Sequence, residues 1–319
     1  MSTTAVTEEI LLDRIKSGRL IEDSSQATER YIEGLKRTLI VSADTELISA
    51  PAYMNATKDF STLPSVNNYI TVMGIVQDEL GHAHIAYRML RDLGVDTEEL
   101  VYERKPKQFK YPYAFDVPLE SFTELVVGNG FYDRAGFVLL SDIHQNCSYG
   151  PWKRALVKVD REENFHLRHG EKWMKVFSKD PEKKEELQRA VDWMFPLTLE
   201  WFGLPDGRKQ HNEQIEYGYK GSTNDKLRQT WMSHTVPLCE SLGLDVPAHY
   251  DAEQDKYIID FPFPAQFDAE EKRWMFDEGE ISWDDVLKRW KGRGPKNEEY
   301  VEHLQRGYKE LYGNGNGAV

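Results

Sequence analysis

The chain has 319 residues, 40 % hydrophobic and 29 % charged, with a net charge of −14 at pH 7. That size suits one large domain or a domain with an appendage, and the acidity argues against nonspecific nucleic-acid binding and anionic membrane surfaces. No apolar run approaches the ~18 residues of a membrane helix and no signal pattern opens the chain, so a cytoplasmic protein is expected.

Residues 1–23 read as a polar leader. A helix over 26–50 follows, with Tyr31, Leu35, Leu39 and Ile40 as its apolar stripe and Ser24 and Ser25 as caps. Continuing the stripe brings Glu46 between apolar neighbours. The second helix, 66–93, stops at Gly94 and contains Asp78-Glu79-Leu80-Gly81-His82. Arg104, Lys105, Lys107 and Lys110 then read either as a basic patch for an anionic ligand or as a solvated loop. A helix over 119–147 carries Leu125, Val126, Phe131, Phe137, Val138 and Leu139, with Asp133 in its middle. The helix over 151–178 holds Glu162-Glu163-Asn164-Phe165-His166, and the next, 181–203, opens on Asp180-Pro181, a cap followed by a first-turn proline. A loop with Gly207 and His211 leads to a helix over 224–243 interrupted by Pro237. Beyond it, 257–262 reads as one short extended segment, Ser282 caps a small helix, and 297–312 is a charged terminal helix. The division is a leader (1–23), a helical bundle (24–250) and a C-terminal extension (251–319).

Two copies of the pattern acid-Glu-x-x-His carry the chemistry. On a helix, positions i and i+3 share a face, so Glu79 points with His82 and Glu163 with His166. A single copy in so acidic a chain would mean a surface pair; two, both inside apolar helices, point to a carboxylate-bridged dinuclear metal site. Four-helix bundles build such sites from two Glu-x-x-His helices and one carboxylate from each of two more. Glu46 and Asp133 supply those carboxylates, in the order carboxylate, Glu-x-x-His, carboxylate, Glu-x-x-His. The predicted ligands are Glu46, Glu79, His82, Asp133, Glu163 and His166, in an all-α, ferritin-like bundle. Asp78 and Glu162 each stand four residues before the histidine of their own helix, placed to take its spare ring N–H. Two histidines and four carboxylates suit paired iron or manganese rather than zinc or copper. The chemistry that fits is oxygen activation: monooxygenation, desaturation, radical generation or ferroxidation. The spacing does not choose among them.

A resemblance narrows the choice. Gln77-Asp78-Glu79-x-Gly81-His82, Ser148-Tyr149-Gly150-Pro151, Arg154-Ala155-x-Val157-Lys158, Glu162-Glu163-x-Phe165-His166 and Thr223-Asn224-Asp225-x-Leu227-Arg228 resemble the catalytic A subunits of ring-1,2-phenylacetyl-CoA epoxidases. Thr235-Val236-Pro237 and Leu242-Gly243 extend the match over nearly the whole chain. The family's diiron ligands fall on the same six residues. The interval from Asp133 to Ser148 is one residue longer than in the family, which predicts a π bulge there. The loop between Glu46 and Glu79 is also a few residues longer. The resemblance implies two iron ions and epoxidation of the aromatic ring of phenylacetyl-CoA. It also implies a homologous noncatalytic C subunit, a small B subunit, and a flavin and iron–sulfur reductase fed by NADPH. The alternatives are a diiron oxygenase for another aryl- or acyl-CoA, a ferroxidase or iron-binding protein, and a noncatalytic scaffold subunit. The scaffold reading requires lost ligands, and all six are here.

No dinucleotide or flavin fingerprint and no cysteine cluster is present, so electrons must arrive from another protein. Cys147 and Cys239 are expected as buried thiols. His84 is expected to point away from the metal face, and His169, three residues after His166, to stand behind it or at the surface. His144, His211, His234, His249 and His303 have no partner motif. Trp173, Trp193, Trp201 and Trp231 fall at helical spacings and read as packing residues. Trp274, Trp283, Trp290, Tyr300, Tyr308 and Tyr312 cluster in the C-terminal extension, which suggests an exposed docking patch, the alternative being that they fold back on their own bundle.

Overall fold

A computed structural model of the chain describes residues 6–208 and 213–312; His211 lies outside them. The elements in chain order begin with α1 (Glu8–Lys16), α2 (Glu29–Asn55), α3 (Val66–Asp92) and α4 (Thr97–Tyr102). Next come α5 (Phe122–Gly128), a π turn (Asn129–Asp133), α6 (Arg134–Asn146), α7 (Gly150–Phe177), α8 (Pro181–Trp201), α9 (Glu213–Glu216) and α10 (Asn224–Leu242). Two small antiparallel hairpins, β1 (Ala248–Asp251) with β2 (Lys256–Ile259) and β3 (Phe267–Asp268) with β4 (Arg273–Trp274), precede α11 (Trp283–Gly292) and α12 (Pro295–Tyr312). The fold is all-α and ferritin-like. α2 packs along α3, α5 and α6 pack along α7, and α3 meets α7, so four long helical segments enclose one apolar core.

Local chemistry accounts for the boundaries. Ser65, Asp180, Thr223 and Ser282 each accept a backbone N–H in the first turn of the helix they precede. Gly94 and Gly243 sit at φ +81° and +65°, the left-handed conformation that closes a helix.

The structure corrects four expectations. The cap of α2 is Thr28; Ser24 and Ser25 lie in a separate 3₁₀ turn. α2 runs past Pro51, and Pro237 leaves α10 unbroken. A proline removes one helical hydrogen bond, but buried Ala52 and Tyr53 beyond Pro51, and Cys239 beyond Pro237, tie both continuations to the core. The π turn exists but ends on Asp133 instead of following it. The leader, from residue 6, is part of the fold: Leu11 and Ile21 are buried, and Ile21 exchanges backbone hydrogen bonds with Ser148 and Gly150.

The aromatics of the C-terminal extension also differ from expectation. Trp274 and Trp283 are buried, the Trp274 indole N–H donates to Trp193 O at 3.0 Å, and Tyr308 stacks on Tyr102 of α4 at 3.8 Å. Tyr312 is the one of the six that is exposed. Bidentate Arg289 to Glu200 of α8, and Arg293 to Asp116, fasten the extension to the bundle. Spacing alone showed these rings together; it did not show that the bundle's own surface covers them. Both cysteines are buried free thiols, and among the described residues no helix is long and apolar enough to cross a membrane.

Candidate metal centre

The bundle brings the six predicted residues to its middle, all of them buried. α2 supplies Glu46, α3 supplies Glu79 and His82, the π turn ends on Asp133, and α7 supplies Glu163 and His166. Ligand atoms of Glu46, Glu79, His82 and Glu163 lie within 4.8 Å of one another, a group that does not take in Asp133 or His166. His82 Nδ1 is 3.4 Å from Glu46 Oε2 and 3.3 Å from Glu163 Oε1. His166 Nδ1 is 3.1 Å from Glu79 Oε1 and 3.9 Å from Glu163 Oε1. Each helix thus places its glutamate against the histidine of the other. The imidazole centroids are 6.1 Å apart.

The outer nitrogens are held, but crosswise. Glu162 of α7 pairs with His82 Nε2 at 3.0 Å, and Asp78 of α3 pairs with His166 Nε2 at 3.3 Å. The expectation placed each acid on the histidine of its own helix. The swap has its origin in direction: each ring reaches across to the facing helix, and so passes beyond its own i−4 neighbour. Either way a carboxylate fixes the tautomer and turns Nδ1 inward.

Three residues of the centre were missed. Ser49 donates to Glu79 Oε2, Tyr53 donates to Asp133 Oδ1, and Asn129 Nδ2 donates to Asp133 Oδ2 at 2.8 Å. A signal existed, since 46, 49 and 53 share one helical row and 129 lies four before 133. Of the remaining histidines, His84 is exposed as expected, while His169 is buried with its Nδ1 3.0 Å from Asn129 Oδ1.

The electrostatics are those of anionic groups crowded together in a buried place. Burial lifts the Glu46 carboxyl to about 8, and the neighbouring Glu79 charge adds to this. Burial, with the charges of Glu79 and Glu163, also drives Asp133 well above the usual carboxylate range. Burial opposes charge on the histidines too, yet Glu163 and Glu46 hold His82 up at about 12, and Glu79 and Glu163 hold His166 at about 10. Glu79 stays low despite burial because His166, His82 and Ser49 stabilise its charge. Glu79 Oε1, His82 Nδ1 and His166 Nδ1 are buried and make no aligned hydrogen bond, their nearest groups being one another and the ring's other carboxylates at 3.1–3.9 Å. Buried polar atoms so placed are costly, and three of them converging fit a metal pair.

A cleft of about 800 Å³ opens beside Glu46. Ile40, Leu139, Leu140, Trp201 and Trp290 form apolar walls, and Gly136, also in the lining, lies beside Glu163: a Cβ there would stand 3.8 Å from Glu163 Oε2. Arg104 and Arg293, though also in the lining, are tied to Asp44 and Asp116. Lys107, Lys110 and Lys291 are exposed and form no ion pair among the described residues.

Over 308 residues the chain is 28 % identical to the A subunit of 1,2-phenylacetyl-CoA epoxidase from Escherichia coli (strain K12), covering 95 % of this chain and 92 % of that relative. A family model described as phenylacetic acid catabolic protein matches residues 1–307. The chain belongs to the phenylacetic acid catabolic protein family.

Proposed function

We propose that this chain is the oxygenase component of a multicomponent diiron monooxygenase that epoxidises the aromatic ring of phenylacetyl-CoA in the cytoplasm. The observation that carries the reading is the burial of four carboxylates and two imidazoles together, with three inward atoms that make no aligned hydrogen bond. Glu46, Glu79, His82, Asp133, Glu163 and His166 would hold two iron ions, a hard donor set that suits iron. When bound, the pair supplies dioxygen binding and reduction.

The chain's own residues supply the rest. Asp78 and Glu162 hold the outer imidazole nitrogens and keep Nδ1 turned inward. The cleft beside Glu46 takes an apolar aryl group at depth, while Lys107, Lys110 and Lys291 suit the phosphates of a CoA handle. In a chain of net charge −14, such a local patch is what makes an anionic substrate acceptable. The thioester is a handle: its remote binding energy orients the ring toward the metal pair.

Electrons come from NADPH through a separate flavin and iron–sulfur reductase, since this sequence has no motif for either cofactor. A small B subunit, together with a homologous noncatalytic C subunit, completes the assembly. With the extension's aromatics folded inward, the exposed Val66, Ile70 and Leu80 of α3 and Phe165 of α7 offer the apolar surface for a partner.

The test is turnover under ¹⁸O₂ with reductase and partner subunits. One labelled oxygen atom in the product supports the proposal, and unlabelled product overturns it. Titration calorimetry with phenylacetyl-CoA separates this reading from iron storage: an iron-loaded chain that binds no CoA ester would be handling iron only.

A further inference from the structure

Asp133 differs from its partners in the ring. Both of its oxygens accept from groups behind the site, Oδ1 from Tyr53 and Oδ2 from Asn129. Asn129 is fully buried and opens the π turn that Asp133 closes. Its other amide atom, Oδ1, meets His169 Nδ1 at 3.0 Å. We infer that His169 and Asn129 are positioning residues for Asp133: the imidazole turns the carboxamide so that its N–H holds one carboxylate oxygen, which sets where the remaining lone pairs point. This inference rests on the metal-centre reading above.

The direction of each bond is set by the inventory of donors and acceptors. Asn129 presents Nδ2 to Asp133 and so turns Oδ1 toward His169, the arrangement an Asp133 carboxylate ionised against bound cations requires, because it would then only accept. His169 Nδ1 must then carry the proton. Its Nε2 is left bare, and that atom is buried with no partner. An edge-on Phe122 ring at 5.9 Å makes part of its surroundings apolar.

Close helix packing makes the relay possible. His169 precedes Gly170, and a Cβ on Gly170 would stand 2.5 Å from Gly130 N inside the π turn. A Cβ on Gly130 would in turn meet Met174 Sδ at 2.6 Å. Two glycines thus let α7 approach the turn closely enough for the imidazole to reach Asn129. The extra residue of a π turn rotates the succeeding side chains by roughly 100°, which is how Asp133 comes to face the ring.

Co(II) titrated into the metal-free full-length chain reads the ligand geometry directly, through visible ligand-field absorption and affinity. The variants are His169→Phe, His169→Asn, which keeps an N–H near the Nδ1 position, and Asn129→Leu. His169→Phe and Asn129→Leu should weaken occupancy of the second metal by about 10–100-fold and alter the absorption bands. His169→Asn should restore the wild-type spectrum. Wild-type spectra and affinities in both disruptive variants would overturn the inference. So would equal impairment of His169→Phe and His169→Asn, because packing rather than the N–H would then be what matters. A wild-type chain that takes up no Co(II) pair would overturn the metal-centre reading as well, so the two failures are distinguishable.

Discussion

Gly170→Ala asks whether α7 must touch the π turn. The new Cβ would stand 2.5 Å from Gly130 N, 2.7 Å from Val126 O and 2.8 Å from Asn129 C. All three are backbone atoms, which cannot swing aside as the tip of a side chain can. Helix propensity acts in the opposite sense, favouring alanine over glycine by about 0.8–1.0 kcal/mol in a helix interior. Overpacking a core costs about 1–3 kcal/mol, and three such contacts at once place this site near the top of that range. The net effect is a loss of about 2 kcal/mol, or roughly 3 °C in Tm for a chain of this size. Metal occupancy should fall as well, because the displaced turn carries Asp133. Gly74→Ala on α3 is the control: nothing lies within 4 Å of its Cβ, so propensity should win and Tm should rise slightly. Thermal melts of the three metal-free proteins decide the matter. A Gly170→Ala variant melting at or above wild type would refute the close-approach argument.

The same geometry leads to three more expected outcomes. Although burial opposes it, His82 is raised to about 12 and His166 to about 10 from the usual 6.5; their stabilisation is complete below pH 6.5 and fades as pH rises through the folded values. Burial raises Glu46 from 4.5 to about 8, which acts in the same direction, so the Tm of the metal-free protein should fall between pH 6.5 and about pH 9, and a rise would contradict the site's electrostatics. Arg289→Ala leaves Glu200, 1 % exposed, without its bidentate partner; stability should drop by about 3–5 kcal/mol in denaturant melts, and a loss under about 1 kcal/mol would show that the extension is not anchored there. Lys110→Glu combined with Lys291→Glu should weaken phenylacetyl-CoA binding about tenfold or more in calorimetry while leaving metal content unchanged, and unaltered affinity would remove the cleft from the account.

The burial of the proposed ligands was legible because it is local. Glu79 with His82, and Glu163 with His166, each sit on one helical row, and Glu46 and Asp133 continue apolar stripes that had to face the core. The crossed pairing of Asp78 and Glu162 depends on how two helices face each other, which spacing within one helix does not encode. The π turn was foreseen but displaced, because an extra residue can be absorbed on either side of Asp133, and the Gly130–Gly170 contact that selects the near side joins residues 40 apart in sequence. Trp274, Trp283 and Trp290 looked like a docking patch for a similar reason. An aromatic cluster reads the same in sequence whether a partner or the chain's own α8 covers it, and Glu200 and Trp193 are where the difference lies.

The central claim is that the buried ring holds a metal pair, and metal analysis of protein produced with iron tests it most directly. The wild-type chain should carry about two irons, the stoichiometry of a carboxylate-bridged bundle site. Glu79→Ala and His166→Ala should each lose most of that iron while keeping a helical fold. Iron that is absent from the wild type, or unchanged in both variants, would contradict the account.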